Sequence, residues 1–145
     1  MILYTIGFTQ KTAERFFSLL MNARVRTLID TRLNNRSQLA GFSKAEDLPY
    51  FLGVIAGIKY RHMTEMAPTQ DMLDRYKKLK GSWAVYEHEF MELLTKRQLA
   101  TRIGPEELFD ACLLCSEHTP DHCHRRLVAN YFATLYPQMQ IVHLK

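Results

Sequence analysis

Apolar and polar positions along this chain follow two alternating rhythms. Ile2–Ile6, Arg26–Asp30, Ile58–His62, Phe109–Cys115 and Gln140–Leu144 are short runs rich in aliphatic and β-branched residues, which predicts strands. Between them, apolar residues recur at helical spacing. Phe16, Leu19, Leu20 and Ala23 form one such stripe, and Tyr86, Phe90, Leu93 and Leu94 another. The polar punctuation agrees. Thr12 is placed to cap the first helix, with Glu14 in its first turn. Ser43 and Glu46 have capping-box spacing. Asp47 is the better cap, however, because it leaves Pro49 in the first turn of a helix ending near Gly57. Asp71–Lys80 reads as a helix stopped by Gly81, and Ser82 opens another that runs to about Arg97. Gly104-Pro105 marks a break, and Thr119-Pro120 is expected to open the last helix as N-cap and first residue.

Strands that alternate with helices predict an α/β fold with a mainly parallel sheet. The expectation is a single three-layer α/β domain over residues 1–145, with about five strands flanked by helices. Phe109–Cys115 is apolar almost throughout, as suits a strand covered on both faces. The chain has no internal repeat, low-complexity stretch or long linker.

Composition narrows the class. Hydrophobic residues make up 47% and charged residues 23% of the 145 positions, which excludes a disordered chain, a collagen and a pure coiled coil. No apolar run approaches the ~20 residues that cross a bilayer. The first residues carry no basic stretch and no cleavage signal, so a secretory peptide is not expected. Three cysteines argue against a closed disulfide framework and for a reducing, cytoplasmic setting. The net charge of +4 is mild, and a solvated surface accounts for it before a phosphate-bearing partner needs to be invoked. Arg32, Arg36, Arg125 and Arg126 are more informative than the Lys77-Lys78-Leu79-Lys80 run, because they fall near strand and helix ends.

A parallel sheet binds ligands outside the carboxyl ends of its strands, and here each strand end carries candidate chemistry. Gly7 would let a ligand approach the backbone. Asp30 and Arg32 follow the second strand, His62 ends the third, and Cys115 and Glu117 follow the fourth. The segment after that brings Cys123, His124 and Arg125 close to a helix start, where a partial positive charge favours anions and lowers thiol pKa values. Cys115, Cys123, Glu117, Asp30 and His124 are therefore the candidate catalytic residues, with Cys123 as nucleophile or redox thiol and Glu117 or Asp30 as general acid/base. Arg32, Arg125, Gly7, His62 and Phe42 are the candidate substrate contacts, the two arginines as anion clamps. Blander roles compete. Asp30 can simply cap its turn and pair with Arg32, and His118 and His122 can be solvated loop residues. Cys112 reads as a small buried hydrophobe. Cys112 and Cys115 are three apart on an extended strand and face opposite ways, so they should not share a metal. Neither a metal nor a cofactor is expected, although Cys115, Cys123 and a histidine keep a metal or redox module in view.

Several ordered blocks carry a resemblance. Tyr4-Thr5-Ile6-Gly7-Phe8-Thr9 resembles a Y-T-I-G-H-S opening, with Phe8 in place of the histidine. Leu28-Ile29-Asp30-Thr31-Arg32 resembles L-V-D-V-R, and Gly41-Phe42-Ser43 and Tyr60-Arg61-His62 resemble G-F-S and Y-x-H. Leu113-Leu114-Cys115-Ser116-Glu117, then Cys123-His124-Arg125, resembles L-L-C-A-E followed by C-H-R. Together these resemble the domain of unknown function 488 family over nearly the whole chain. The resemblance implies a compact α/β domain, found mainly in prokaryotes, without an established activity. Some of its members are loosely labelled as DNA-repair related.

The residues point first to an enzyme, a hydrolase or transferase, acting on a small anionic or phosphate-containing substrate such as a nucleotide. The alternative is a nucleic-acid binding or processing protein, with Phe42 and the arginine-bearing 32–42 loop stacking on bases. A cysteine-based metal or redox module is third. No membrane partner is expected. The helices between residues 70 and 100 carry more aromatic residues than one face needs, which leaves a dimer open.

Overall fold

The structure is a computed structural model that describes residues 1–36 and 41–145. Its centre is a sheet of five strands: β1 (Ile2–Gly7), β2 (Thr27–Asp30), β3 (Lys59–His62), β4 (Ala111–Cys115) and β5 (Gln140–Leu144). The order is β3-β2-β4-β1-β5, and every neighbouring pair runs parallel. All five carboxyl ends therefore lie on one edge. The register sets Gly7 beside Cys115, and Asp30 between Leu114 and His62.

Period-two alternation divides the core into two layers. Ile6, Leu28, Cys112 and Leu114 face α1 (Ala13–Asn22) and α2 (Leu48–Phe51), where Phe16, Phe17, Leu20 and Leu48 cover them. Leu3, Ile29 and Leu113 point the other way. They pack under α3 (Gln70–Lys77), α4 (Trp83–Lys96) and α6 (His124–Leu135) through Met72, Phe90, Leu94, Leu127, Val128 and Phe132. A short α5 (Pro105–Leu108) leads into β4. Three layers result, and Cys112 and Cys115 are on opposite faces of β4. Among the described residues no helix is long and apolar enough to cross a membrane.

Thr12 and Ser82 cap as their sequence suggests, whereas Asp47 holds the N-cap position without a side-chain cap hydrogen bond. Thr12 accepts from Arg15 N and Ser82 from Ala84 N. Asp47 precedes α2, which has Pro49 in its first turn and continues as a π-helical turn (Leu52–Ala56) to a left-handed Gly57. Several boundaries are corrected. The third helix starts at Gln70, because Thr69 caps it by accepting from Met72 N, and it ends at Lys77. The fourth strand starts at Ala111 rather than Phe109, because Asp110 takes a left-handed backbone (φ 55°) and leaves the pleat. The last helix starts at His124, not at Thr119-Pro120. The Pro120 carbonyl instead accepts from Cys123 N and Arg126 Nε, which makes residues 119–123 a turn wrapped onto the helix start.

Candidate active site

The carboxyl edge of the sheet opens into a cavity of about 290 Å³ between the ends of β2 and β4, α3 and the start of α4. That is the lower end of the size range for ligand sites. Cys115, Ser116, Glu117, His122, Cys123 and His124 line one side, Arg32 and Asn34 a second, and Lys77, Trp83 and Tyr86 a third.

At its floor lies a thiol–imidazole group. His124 is buried at the first position of α6. Its Nε2 is 2.8 Å from the Thr31 carbonyl, which can only accept, so Nε2 carries the hydrogen. That leaves Nδ1 facing Cys115 Sγ at 3.6 Å. Thr31 is anchored in turn, its hydroxyl donating to the Leu114 carbonyl at 2.7 Å. The edge of Phe90 closes the other side of the ring.

Cys123 completes the group, its sulfur within 4.8 Å of Cys115 Sγ. The neighbouring Cys123 thiol, with the His124 charge and hydrogen bond and the Glu117 amide, holds Cys115 well below the usual thiol range despite burial. Burial, reinforced by the Cys115 charge, pushes Cys123 well above it. Burial alone would lower His124, but the facing Cys115 and the Thr31 carbonyl raise it. These shifts favour a Cys115 thiolate beside a His124 imidazolium and keep the proton on Cys123. The two sulfurs and one His124 nitrogen lie within 4.8 Å of one another, a donor set that zinc accepts. Arg125 Nη1, however, is 3.4 Å from Cys123 Sγ and puts a fixed cation on that sulfur, which disfavours a metal.

The other candidates divide. Glu117 lines the cavity and is paired with Lys77 Nζ at 2.6 Å, half-exposed. Asp30 is fully buried and committed elsewhere: Arg32 Nε and Nη2 each donate to it at 2.9 Å, and Tyr60 Oη at 2.6 Å. It is a structural anchor and not an accessible acid or base. Arg32 spends another bond on the Ser43 carbonyl at 2.6 Å and rests over the Phe8 ring. Of its nitrogens only Nη1 is buried without a partner among the described residues, and the residue lines the cavity. Arg125 is not an anion clamp, because it is fully buried beneath the 117–123 loop. His62 is exposed beside the Arg32 carbonyl (2.7 Å) and does not line the cavity. Phe42 does not stack on ligands, because it packs on Phe16 and Phe17 in the opposite layer. Residues 37–40 of the arginine-bearing loop lie outside the described residues.

Gly7 also has a different role. A Cβ there would overlap the Glu117 carbonyl oxygen and stand 3.0 Å from Arg125 Nη1, so the glycine admits the chain's own loop, not a ligand. Gly7→Ala is therefore expected to displace residues 116–118 and cost about 1–3 kcal/mol, as overpacking does. Thermal denaturation measures the cost, and an unchanged melting temperature would contradict it.

A scan against family models matches residues 12–132 to "Domain of unknown function DUF488". The chain belongs to the DUF488 family. No curated protein and no solved structure matches it. The DUF488 match spans β2, β4 and the start of α6, and so includes Thr31, Cys115, Cys123 and His124. Several contributors to this DUF488 site escape a strand-end reading. Thr31 and Tyr60 act through second contacts that no local pattern signals. Trp83 comes from a helix rather than a strand end. It stacks between Tyr86 (5.2 Å) and His122 (4.9 Å), which gives much of the aromatic excess of α3 and α4 an internal use.

Proposed function

We propose that the protein is an enzyme, a thiol-dependent hydrolase or transferase, that turns over a small anionic substrate in this cavity with Cys115 as nucleophile. The observation that carries the reading is the ordered Thr31–His124–Cys115 line at the floor of an open cavity. Arg32 Nη1, buried and unpartnered among the described residues, is the natural contact for a phosphate or carboxylate oxygen. The Cys115 sulfur forms a bond to an electrophilic phosphorus or carbon. The electron pair of the breaking bond leaves with the departing group, which takes a proton from His124 Nδ1. Water or a second substrate then attacks the sulfur adduct, His124 takes a proton back, and the thiolate is restored. Glu117 is placed to orient that acceptor when Lys77 swings aside.

The test is alkylation by iodoacetamide, read by mass mapping against pH. An ordinary thiol loses reactivity about tenfold per pH unit below a pKa of about 8.5. Cys115, held low by its neighbours, is expected to keep its rate through neutral pH. His124→Asn is expected to move the fall in rate to higher pH. If Cys115 follows the ordinary thiol profile, or Cys115→Ser leaves turnover intact on a substrate found by screening phosphate esters, the reading fails.

A further inference from the structure

We infer that Cys115 and Cys123 are a peroxide-reactive dithiol pair, in which a hydroperoxide oxidises Cys115 and Cys123 resolves it to a disulfide. The inference deepens the proposed function and rests on Cys115 being the nucleophile of this cavity. Three features carry it. The two sulfurs lie within 4.8 Å of each other. Both line the cavity, so a small oxidant reaches them although they are only 3% and 2% exposed. The chain between them, residues 116–122, is bend and turn, and Cys123 precedes the first helical residue of α6. Drawing the sulfurs to the ~2 Å of a disulfide therefore breaks no regular secondary structure.

The third thiol is a built-in contrast. Cys112 is fully buried on the opposite face of β4, does not line the cavity, and is pushed above the usual thiol range by burial. It is neither accessible nor ionised.

The chemistry balances with a hydroperoxide as oxidant. The Cys115 thiolate attacks the outer peroxide oxygen. The O–O bond breaks, an alcohol or water leaves with a proton, and Cys115 becomes a sulfenic acid. The Cys123 sulfur then attacks the Cys115 sulfur, giving its proton to the departing hydroxyl. One disulfide and one water form. Two equivalents of a small thiol return both cysteines to the reduced state and become a disulfide themselves. In this state the proposed nucleophile is masked but not lost, because the resolved disulfide does not advance to the irreversible sulfinic acid.

The experiment treats the reduced full chain with one equivalent of hydrogen peroxide and maps the products without reductant. Proteolysis after Glu117 separates Cys115 from Cys123, so a crosslink joins two peptides. The expected result is one peroxide consumed, two hydrogens lost from the intact mass, a Cys115–Cys123 crosslink, and Cys112 still a free thiol. Cys112→Ser is expected to crosslink as before. Cys123→Ser is expected to accumulate a Cys115 sulfenic acid that a cyclic diketone traps, and Cys115→Ser to consume no peroxide. Sulfinic Cys115 beside a free Cys123 thiol, or a crosslink through Cys112, overturns the inference. Iodoacetamide on the untreated sample separates the two failures. A Cys115 that alkylates at neutral pH but never crosslinks sinks only the pairing, whereas one that does neither sinks the nucleophile reading as well. The wild-type map needs no variant to fold.

Discussion

Asp30→Ala is expected to cost about 3–5 kcal/mol of folding stability, the scale for removing one partner of a buried ion pair. The size follows from what the carboxylate holds. Arg32 donates to it through Nε and Nη2 at 2.9 Å each and through its backbone N–H at 3.1 Å, and Tyr60 adds a hydroxyl at 2.6 Å. Asp30 is 0% exposed and Arg32 4%. Alanine leaves a buried guanidinium with only the Ser43 carbonyl and the Phe8 ring to offset its lost hydration, and it leaves the Tyr60 hydroxyl without its acceptor, keeping only the Asn35 amide. In the wild type, burial and the Asp30 hydrogen bond push that phenol well above its ordinary range. Asp30→Ala with Arg32→Met is expected to recover part of the loss, because a methionine returns apolar volume over Phe8 without a charge. Urea denaturation of the two chains and the wild type measures both quantities. A loss below about 1 kcal/mol, typical of exposed pairs, would mean that water reaches Asp30.

The effect extends to the cavity, because Asp30 precedes Thr31, and the Thr31 carbonyl fixes the His124 ring. Asp30 acts on the chemistry through position, and its removal should lower Cys115 alkylation at neutral pH together with stability. The coupled groups give the sign of the pH dependence. Cys115 is lower in the folded chain, so its stabilisation is present above the unfolded thiol value and lost as pH falls through the folded one. His124 is higher when folded, so its share is present below the unfolded value and lost as pH rises through the folded one. Both shifts act in the same sense, toward the charged pair.

The carboxyl-edge convergence was readable because it needs only topology. Parallel strands share an edge, so Asp30, Cys115 and Glu117 had to lie along one edge once the sheet was parallel. The opposed faces of Cys112 and Cys115 follow from the two-residue pleat alone. The role of each polar side chain was not readable, because it depends on which partner reaches it first. Arg32 and Arg125 both look like anion clamps by position. One is spent on Asp30 and Ser43, with a single nitrogen unpartnered among the described residues, and the other is spent on loop carbonyls. Gly7 pointed to a close approach, but the sequence could not say that the approaching group is Glu117. The last helix was placed early because Pro120 suits a first turn in isolation. Arg126 captures the Pro120 carbonyl and makes that segment a turn.

Arg125→Leu is the second large effect expected, with a loss of about 3–5 kcal/mol, since each buried acceptor left without its donor costs about 1–3 kcal/mol. Arg125 is 0% exposed. Its Nη1 reaches the Glu117 carbonyl at 2.6 Å and Cys123 Sγ at 3.4 Å, its Nη2 the His118 carbonyl at 3.5 Å, and its Nε the Thr5 hydroxyl at 3.4 Å. That hydroxyl, at 2.6 Å from His143 Nδ1, donates onward to a ring that burial and the Arg125 charge keep below its ordinary pKa. One side chain thus ties β1, β5 and both ends of the thiol-bearing loop. Leucine matches part of the volume and none of the donors, so the loop loses its floor and Cys123 its fixed distance from Cys115. Arg125→Lys keeps the charge as a point and reaches fewer acceptors, so its loss is expected to fall between wild type and leucine. Thermal denaturation ranks the three chains, and the peroxide crosslink read on each shows whether the thiols still meet. A leucine chain with the wild-type melting temperature and a full crosslink would mean that the loop is held by its own turns. The guanidinium would then be a passenger in the core.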